Sequence, residues 1–448
     1  MTGFDGEPPA GGDGVRFSAD FEPLTPEAFN LMQRVHHRLI QEMDLQATAR
    51  LEPDQARQAV EAAVRTIVAE LAPSSLYGEE RERIVKGVVD DAIGMGPIEP
   101  LLADVSISEV MVNAPDEVYF ERDGIIYLSA LRFGDKEHIL RIIDRIISPL
   151  GRRLDEASPY VDARLPDGSR VNAVIPPLVP KSPTLTIRKF RPDMYTMKDI
   201  VGNGTLSEQM ADFLRTCVRL RLNVIISGGT GTGKTTLLNA VSAYIPSTER
   251  IITIEDPTEL KLQQTHVVAM EARPPNIEGR NQVTQRDLVR NALRMRPDRI
   301  IVGEVRGGEA FDMLQAMNTG HEGSLTTVHA NSCRDALARI ENMVLVAGLD
   351  LPVRAIREQV ASALHLVVQL ARFSDGQRRV TLISEITGME ADIVTMQELF
   401  RFEQVGVGDD GRILGSLEST GIRPTFADRF AKAGVTLDLG APVGGRWG

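Results

Sequence analysis

The chain lacks a cysteine framework, a basic excess and a long apolar run. Its two cysteines, Cys217 and Cys333, are too few for a disulfide network or a four-thiolate zinc site. A formal net charge of −12 argues against bulk binding of nucleic acid, whose phosphates favour a basic surface. The sequence contains no stretch of about 18 apolar residues that would span a bilayer. We therefore expect a reducing, cytoplasmic location with only peripheral association with the inner membrane.

The length of the chain predicts several domains. Its 448 residues, 42% of them hydrophobic, suit two or three domains that each bury a core. Residues 1–24 are rich in Gly, Pro and acidic residues, so we predict a disordered acidic tail. Helical periodicity follows over residues 25–94, where Thr25 is a candidate cap and Pro26 suits the first helical position. This region is predicted to be a small helical domain that serves as a spacer or docking module.

Residues 95–190 mix short strands with one predicted helix, around 136–147, and so predict a smaller α+β domain. Pro166-Asp167-Gly168 is a turn signal between two extended runs. Alternation of polar and apolar residues places Arg170 and Arg188 on the faces opposite the apolar residues of their strands. These arginines are therefore available to a neighbouring domain.

After a predicted linker at 191–206, strands alternate with helices over residues 207–405. This alternation predicts an α/β domain with a mostly parallel sheet wrapped by helices. Residues 406–448 are predicted to be a C-terminal tail that holds one short helix near 426–433. The predicted strands of the α/β domain are 223–227, 250–255, 298–305 and 323–329.

Residues 228–235 match the complete phosphate-loop pattern G-x-x-x-x-G-K-[ST]. A predicted strand precedes them and a predicted helix follows, so backbone N–H groups and a helix N-terminus would face a triphosphate. Lys234 would reach the β- and γ-phosphates, Thr235 would offer its hydroxyl to Mg²⁺, and Thr236 would lie near the α- and β-phosphates. The predicted nucleotide-binding residues are Gly228, Gly229, Thr230, Gly231, Thr232, Gly233, Lys234, Thr235 and Thr236.

Two predicted strands end in a carboxylate, Glu255 in one and Glu304 in the other. Ligands of open α/β sheets bind at the carboxyl ends of the strands, so both are well placed. One would hold Mg²⁺ directly or through water, and the other would orient or deprotonate the attacking water. Each alone also suits a solvated strand end, but a complete phosphate loop favours the catalytic roles. His329, at another strand end, is either a γ-phosphate sensor, a bridge between subunits or a structural residue.

In their order, these motifs resemble the four motifs of the secretion and pilus ATPase superfamily. Two further segments, 273–279 and 291–298, resemble the CpaF-type branch that powers Tad pili. The resemblance covers residues 94–403 and implies a RecA-like P-loop domain preceded by the smaller α+β domain and the N-terminal helical region. The matching motifs are Walker A at 228–235, an Asp box at 253–257, Walker B at 300–304 and a His box at 320–329.

The resemblance also implies an assembly and a division of roles. It implies a homo-hexameric ring that binds ATP and Mg²⁺ and moves a platform protein of the inner membrane. Glu255 would be the catalytic base, and Glu304 would join Thr235 at the metal. Arg170 and Arg188 would complete the catalytic site from the smaller domain. The cysteine-rich zinc element of some superfamily members is missing from this sequence, which counts against the type II export branch.

Three alternative functions stay open beside an ATP-hydrolysing motor for Tad-type pilus assembly. A type IV or archaeal-type secretion ATPase would use the same chemistry on different cargo. A RecA-like nucleic-acid motor is disfavoured by the net charge and by an aromatic content of 5%, which is low for base stacking. A scaffold that binds ATP without turnover is disfavoured by the presence of both Glu255 and Glu304. We expect no nucleic-acid partner.

Overall fold

The computed structural model describes most of the chain, in two compact units. The units comprise residues 1–192 and 193–448, and each contains hydrophobic cores of its own. The described residues are 16–18, 21, 24–43, 52–73, 76, 78–122, 124–190, 195–275, 280–408 and 411–436.

Three helices open the first unit: α1 (Pro26–Glu42), α2 (Pro53–Leu71) and α3 (Glu79–Ile93). The Thr25 hydroxyl accepts a hydrogen bond from the backbone N–H of Ala28, as the predicted cap of α1 requires. The apolar stripes of all three helices meet in one core. The predicted helical periodicity is therefore confirmed for the described part of this region, residues 25–43, 52–73, 76 and 78–94.

A seven-stranded sheet follows in the first unit, after the short helix α4 (Glu99–Ala103). Helix α5 (Lys136–Ile147) has the predicted bounds, and its isoleucines share a core with the sheet. The spatial order of the strands is β1-β4-β3-β2-β7-β6-β5. The strands are β1 (Arg16–Phe17), β2 (Ile107–Ala114), β3 (Glu117–Arg122), β4 (Ile125–Leu128), β5 (Tyr160–Arg164), β6 (Arg170–Val174) and β7 (Thr184–Arg188).

Strand β1 corrects the prediction that residues 1–24 are disordered throughout. Arg16 and Phe17 pair in parallel with Tyr127 and Leu128 of β4. The edge of β4 would otherwise present unpaired backbone groups, and even a two-residue strand satisfies some of them. Residues 1–15, 19–20 and 22–23 lie outside the described residues.

A buried polar contact joins the helices to the sheet domain of the first unit. His138 Nδ1 accepts from the Gly134 backbone N–H, so its Nε2 donates to Asp91 of α3 at 2.5 Å. Arg145 donates to the Asp91 and Gly94 carbonyls, at 2.7 Å each. The two regions predicted as separate domains, 25–94 and 95–190, thus belong to one compact unit.

The second unit contains a nine-stranded sheet in the order β10-β9-β11-β12-β8-β13-β14-β15-β16. The first six of these strands are parallel, and the last three are added antiparallel. This order makes the domain RecA-like, and all four predicted strands are present. The strands are β8 (Val224–Gly228), β9 (Ile251–Glu255), β10 (Val267–Glu271), β11 (Arg299–Val305), β12 (Leu325–His329), β13 (Leu366–Arg372), β14 (Arg378–Glu390), β15 (Ile393–Val407) and β16 (Ile413–Ser419).

Helices cover both faces of the parallel part of this sheet. Val224 and Ile226 of β8 belong to one core and Ile225 to the other, as expected of a strand buried on both faces. Within the described residues, no helix is long and apolar enough to cross a membrane. The helices are α6 (Met197–Gly202), α7 (Glu208–Arg219), α8 (Lys234–Ser242), α9 (Gln285–Ala292), α10 (Glu309–Asn318), α11 (Cys333–Val346), α12 (Val353–Ala363) and α13 (Ala427–Lys432).

Two predicted boundaries of the second unit need correction. The predicted linker, 191–206, contains α6, whose Met197 and Ile200 lie in the core. The predicted tail, 406–448, supplies β16 and the predicted short helix, here α13, whose Phe430 stacks on Phe213. A Cβ on Gly415 of β16 would clash with the Phe402 ring of the neighbouring strand. That glycine allows close packing within the sheet.

Buried polar side chains fix the amino ends of the parallel strands. Arg299 is 0% exposed and donates from Nε to Glu249 at 2.5 Å. Asn223 accepts from the backbone N–H groups of Gly323 and Ser324. These contacts hold β8, β11 and β12 in register at the edge opposite their carboxyl ends.

Because Phe430 lies in the core, Phe430→Ala should destabilise the second unit. We expect the free energy of unfolding to fall by about 3 kcal/mol, the usual cost of removing a buried aromatic ring. Denaturant unfolding followed by circular dichroism measures the change. Val405→Ala is the control, because Val405 is 79% exposed in the neighbouring β15. If both variants have the same free energy of unfolding, Phe430 does not stabilise the second unit and the prediction of a C-terminal tail at 406–448 stands.

Candidate nucleotide-binding and catalytic site

The loop between β8 and α8 needs glycine at three positions. Gly231 and Gly233 have φ angles of 69° and 93°, in the left-handed region that favours glycine. A Cβ on Gly228 would lie 2.6 Å from Thr232 Oγ1 and 2.8 Å from the Leu370 carbonyl oxygen. The backbone therefore turns as a phosphate-binding loop must, directly after a buried strand.

The lysine of this loop is held against the loop backbone. Lys234 Nζ donates to the Gly229 carbonyl at 2.7 Å, and Thr232 Oγ1 donates to the same oxygen at 3.0 Å. Thr235 and Thr236 follow in the first turn of α8, where backbone N–H groups lack helical acceptors. A cation, hydroxyls and backbone N–H groups at the start of a helix form a binding site for an anion such as a phosphate chain.

Glu255 at the end of β9 is a buried acid with one unused oxygen. It is 2% exposed, and its Oε1 accepts from the backbone N–H groups of Glu259 and Leu260 at 2.8 and 2.9 Å. Its buried Oε2 has no hydrogen-bond partner among the described residues. Burial raises the pKa of Glu255 to about 7, opposed by the two backbone hydrogen bonds and assisted by the charges of Glu259 and Glu271. Such a group is suited to exchanging protons near neutral pH.

Gly303 makes room for this carboxyl group. In the parallel pair of β9 and β11, Ile254 lies opposite Val302, so Gly303 follows beside Glu255. A Cβ on Gly303 would lie 2.8 Å from Glu255 Cγ. The glycine of the Walker B segment is therefore required by the side chain of the neighbouring strand.

Glu304 lies next to Gly303 and is half-buried. Arg306 Nε donates to Glu304 Oε2 at 2.6 Å, so the carboxylate already has a cationic partner. Mg²⁺ prefers hard oxygen ligands, and the Thr235 hydroxyl and the Glu304 carboxylate are both of that kind. The donor set fits the predicted metal, provided that Glu304 gives up Arg306 or binds through a water molecule.

His329 lies beside the start of the phosphate loop. It is the Cα partner of Gly228 in the parallel pair of β12 and β8. Strands β8, β12, β11 and β9 are successive neighbours, so their carboxyl ends share one edge of the sheet. The phosphate loop, His329, Glu304 and Glu255 are thus brought to this edge, as the sequence predicts.

Arg170 and Arg188 lie in the first unit, directly opposite each other in the pair of β6 and β7. Their neighbours Val171 and Ile187 are buried on the other face of the sheet, so the predicted shared face is confirmed. Their participation in the nucleotide site stays a prediction.

Two arginines beside the phosphate loop were not predicted. Arg378 Nε donates to the Gly231 carbonyl at 2.8 Å. Arg372 Nη1 lies 3.7 Å from the position that a Cβ on Gly231 would occupy. They were missed because β13 was not predicted, so its carboxyl end was not assigned to the site. The available signal was the largely apolar run 366–370, interrupted only by Gln369 and followed by Arg372.

The raised pKa of Glu255 predicts a pH-dependent loss of stability. Its ordinary value is 4.5 and its folded value is about 7. Between these values the folded chain keeps a proton that the unfolded chain has lost, so stability falls as pH rises. The expected fall is about 3 kcal/mol, complete above about pH 7. Glu255→Gln is neutral at every pH and should remove it.

Denaturant unfolding at about pH 5 and about pH 8 tests this expectation. The variant and the wild type should be close in stability at the lower pH, and the variant should be the more stable at the higher. Glu358→Gln, in an exposed pair with Arg354, is the control and should change neither value. If the difference in the free energy of unfolding between the wild type and Glu255→Gln is the same at both pH values, the raised pKa is contradicted.

Comparison with known proteins places these residues in a family. The model of the family described as "Type II/IV secretion system protein" matches residues 91–406. A putative conjugal transfer protein of Mycobacterium tuberculosis is 39% identical over 332 residues, which cover 72% of this chain and 93% of the relative. The type IV secretion system protein VirB11 of Bartonella quintana is 34% identical over 331 residues, which cover 64% of this chain and 90% of the relative.

A solved structure is also similar in sequence. The VirB11 ATPase of the Brucella suis type IV secretion system, crystallised with sulphate, is 32% identical and covers 64% of this chain and 94% of its own, with a TM-score of 0.35. The family match includes the phosphate loop, both carboxylates and His329, and it spans more than half of the chain. The chain belongs to the type II/IV secretion system protein family.

Proposed function

We propose that this chain hydrolyses ATP with Mg²⁺ and acts as a motor subunit of a machine at the inner membrane. The observation that supports this most is Glu255, a desolvated carboxyl group at the same sheet edge as a complete phosphate loop. A loop that only bound nucleotide would not need a buried acid whose pKa lies near 7. The cytoplasmic location and peripheral membrane association predicted from the sequence belong to the same proposal.

The phosphate loop binds the nucleotide in this proposal. Its backbone N–H groups and Lys234 compensate the charge of the β- and γ-phosphates. Thr235 and Glu304 would hold Mg²⁺, which when bound would neutralise charge on the same phosphates. His329 lies next to Gly228 and would contact the γ-phosphate side of the loop.

Glu255 prepares the attacking water. The N–H groups of Glu259 and Leu260 fix Oε1 and thereby set the orientation of Oε2. In its ionised form Glu255 accepts a proton from water as the water oxygen attacks the γ-phosphorus and the bond to the leaving ADP oxygen breaks. With a pKa of about 7, a large fraction of Glu255 is ionised at neutral pH.

Binding and turnover should separate between two classes of variant. Lys234→Ala should lose both ATP binding and hydrolysis, because the phosphate charge loses its main cation. Glu255→Gln and Glu304→Gln should keep ATP binding and lose at least about 100-fold in turnover. Purified full-length protein is assayed for phosphate release and for equilibrium binding of ATP.

The two glutamates can then be told apart. If Glu255→Gln retains bound ATP after several turnover times, Glu255 is the group that activates water. If only Glu304→Gln retains it, the two roles are reversed. Near-normal hydrolysis by Lys234→Ala would falsify the proposed ATPase site altogether.

The machine that this motor serves has two candidates. The segments 273–279 and 291–298 favour a Tad-type pilus and its platform protein. Similarity to a conjugal transfer protein and to VirB11 favours a type IV secretion machine instead. In either machine we propose a homo-hexameric ring of this chain.

Affinity purification of the full chain from its native membrane, with ATP bound by Glu255→Gln, distinguishes the two machines. For the pilus we expect a polytopic platform protein to be recovered. Recovery of type IV secretion channel components instead supports the second candidate. Lys234→Ala is the matched control, since it should recover less of either partner. The native mass of the purified wild-type chain, measured by light scattering, tests the proposed homo-hexameric ring.

A further inference from the structure

The turn between β13 and β14 lies against the phosphate loop. Arg378 donates from Nε to the Gly231 carbonyl at 2.8 Å, and its Cδ lies 3.5 Å from the position that a Cβ on Gly233 would occupy. At the end of β13, Arg372 Nη1 lies 3.7 Å from the position that a Cβ on Gly231 would occupy. Two guanidinium groups therefore flank the glycines that shape the loop.

These two arginines are Cα partners in the antiparallel pair of β13 and β14. Directly opposite residues of an antiparallel pair carry their side chains on the same face of the sheet, so both guanidinium groups belong to one side of the hairpin. The Gly231 carbonyl already accepts from one of them and fixes its position.

The sheet order places this hairpin on one side of the phosphate loop and the acids on the other. On one side of β8 lie β12, β11 and β9, which carry His329, Glu304 and Glu255. On the other side lies β13, which pairs with β8 up to Leu370 and Gly228. Since Glu255 acts on water at the γ-phosphate, the γ-phosphate end of the chain points toward the acids. The nucleoside end then points toward the hairpin.

The hairpin is held rigidly by its own contacts. The Phe373 N–H donates to the Gln377 carbonyl at 2.8 Å, and Asp375 accepts from the N–H groups of Gln377 and Ile413. The guanidinium of Arg379 lies 4.8 Å from the centroid of Phe402. Arg372 and Arg378 are therefore presented from a fixed support, which lowers the entropy cost of holding a ligand.

We propose that Arg372 and Arg378 bind the nucleoside end of the ATP molecule, its ribose and base. A guanidinium group is planar and stacks on an aromatic base, while its N–H groups donate to ribose oxygens. This inference rests on the proposed ATPase function and adds a specificity to it. The site would favour a nucleoside triphosphate over a bare triphosphate chain.

Calorimetric binding of two probes, ATP and inorganic tripolyphosphate, to the full chain tests this assignment. Arg372→Ala and Arg378→Ala should each weaken ATP binding by about tenfold, the scale of a desolvated cation–π contact. Tripolyphosphate binding should be unchanged, because it meets only the phosphate loop. In hydrolysis, the KM for ATP should rise by the same factor while kcat stays nearly constant. Arg401→Ala is the control, since Arg401 lies on β15 and pairs with Glu403.

The probes also separate a binding role from a supporting one. If the variants weaken tripolyphosphate as much as ATP, the arginines only hold the loop in shape and the proposal is overturned. Arg372→Lys and Arg378→Lys keep the charge and lose the planar group, so they should weaken ATP selectively. If they bind ATP as the wild type does, a planar contact is ruled out. A wild type that binds tripolyphosphate but not ATP overturns the proposed function itself.

Discussion

The removal of water from Glu255 is the constraint on which the rest of the site depends. A carboxyl group at the end of a strand would ordinarily be solvated and fully ionised at neutral pH. Here a neighbouring strand without a side chain at Gly303 and two backbone donors enclose it. The same enclosure that makes the group a useful base makes its ionised form unfavourable for the fold. Catalytic competence and stability are thus opposed in one residue.

In the second unit, the amino ends and the carboxyl ends of the parallel strands differ in what their side chains do, and this difference offsets the cost. At the amino ends, Arg299, Glu249 and Asn223 are buried and hydrogen-bonded, and they fix the relative positions of the strands. At the carboxyl ends, polar groups are left for a ligand, and glycines allow close approach of the backbone. Rigid register at one edge is what gives the acids and the phosphate loop defined places at the other.

Local patterns predicted four of the six parallel strands, β8, β9, β11 and β12, and much of the site. The phosphate loop, Glu255, Glu304 and His329 each follow a short apolar strand, so their position at the carboxyl edge follows from strand type alone. Strands β13 to β16 were not predicted, because Gln369 interrupts the apolar residues of β13 and because β14, β15 and β16 each contain a glycine and many polar residues. For that reason Arg372 and Arg378 were also missed. The burial of Glu255 depends on Gly303, 48 residues away in sequence, and no local pattern reveals such a contact.

The length of β14 has a mechanical consequence. It begins at Arg378, which touches the phosphate loop, and runs 13 residues to Glu390. At the usual rise of a strand this distance is roughly 40 Å. Its pairing with β13 and β15 makes it stiff over that span, although the register of the pairs shifts at Thr381 and Thr387. A small rotation of β14 about its Arg378 end would therefore displace Glu390 much further than residues near the nucleotide, because the displacement grows with distance from the point of rotation.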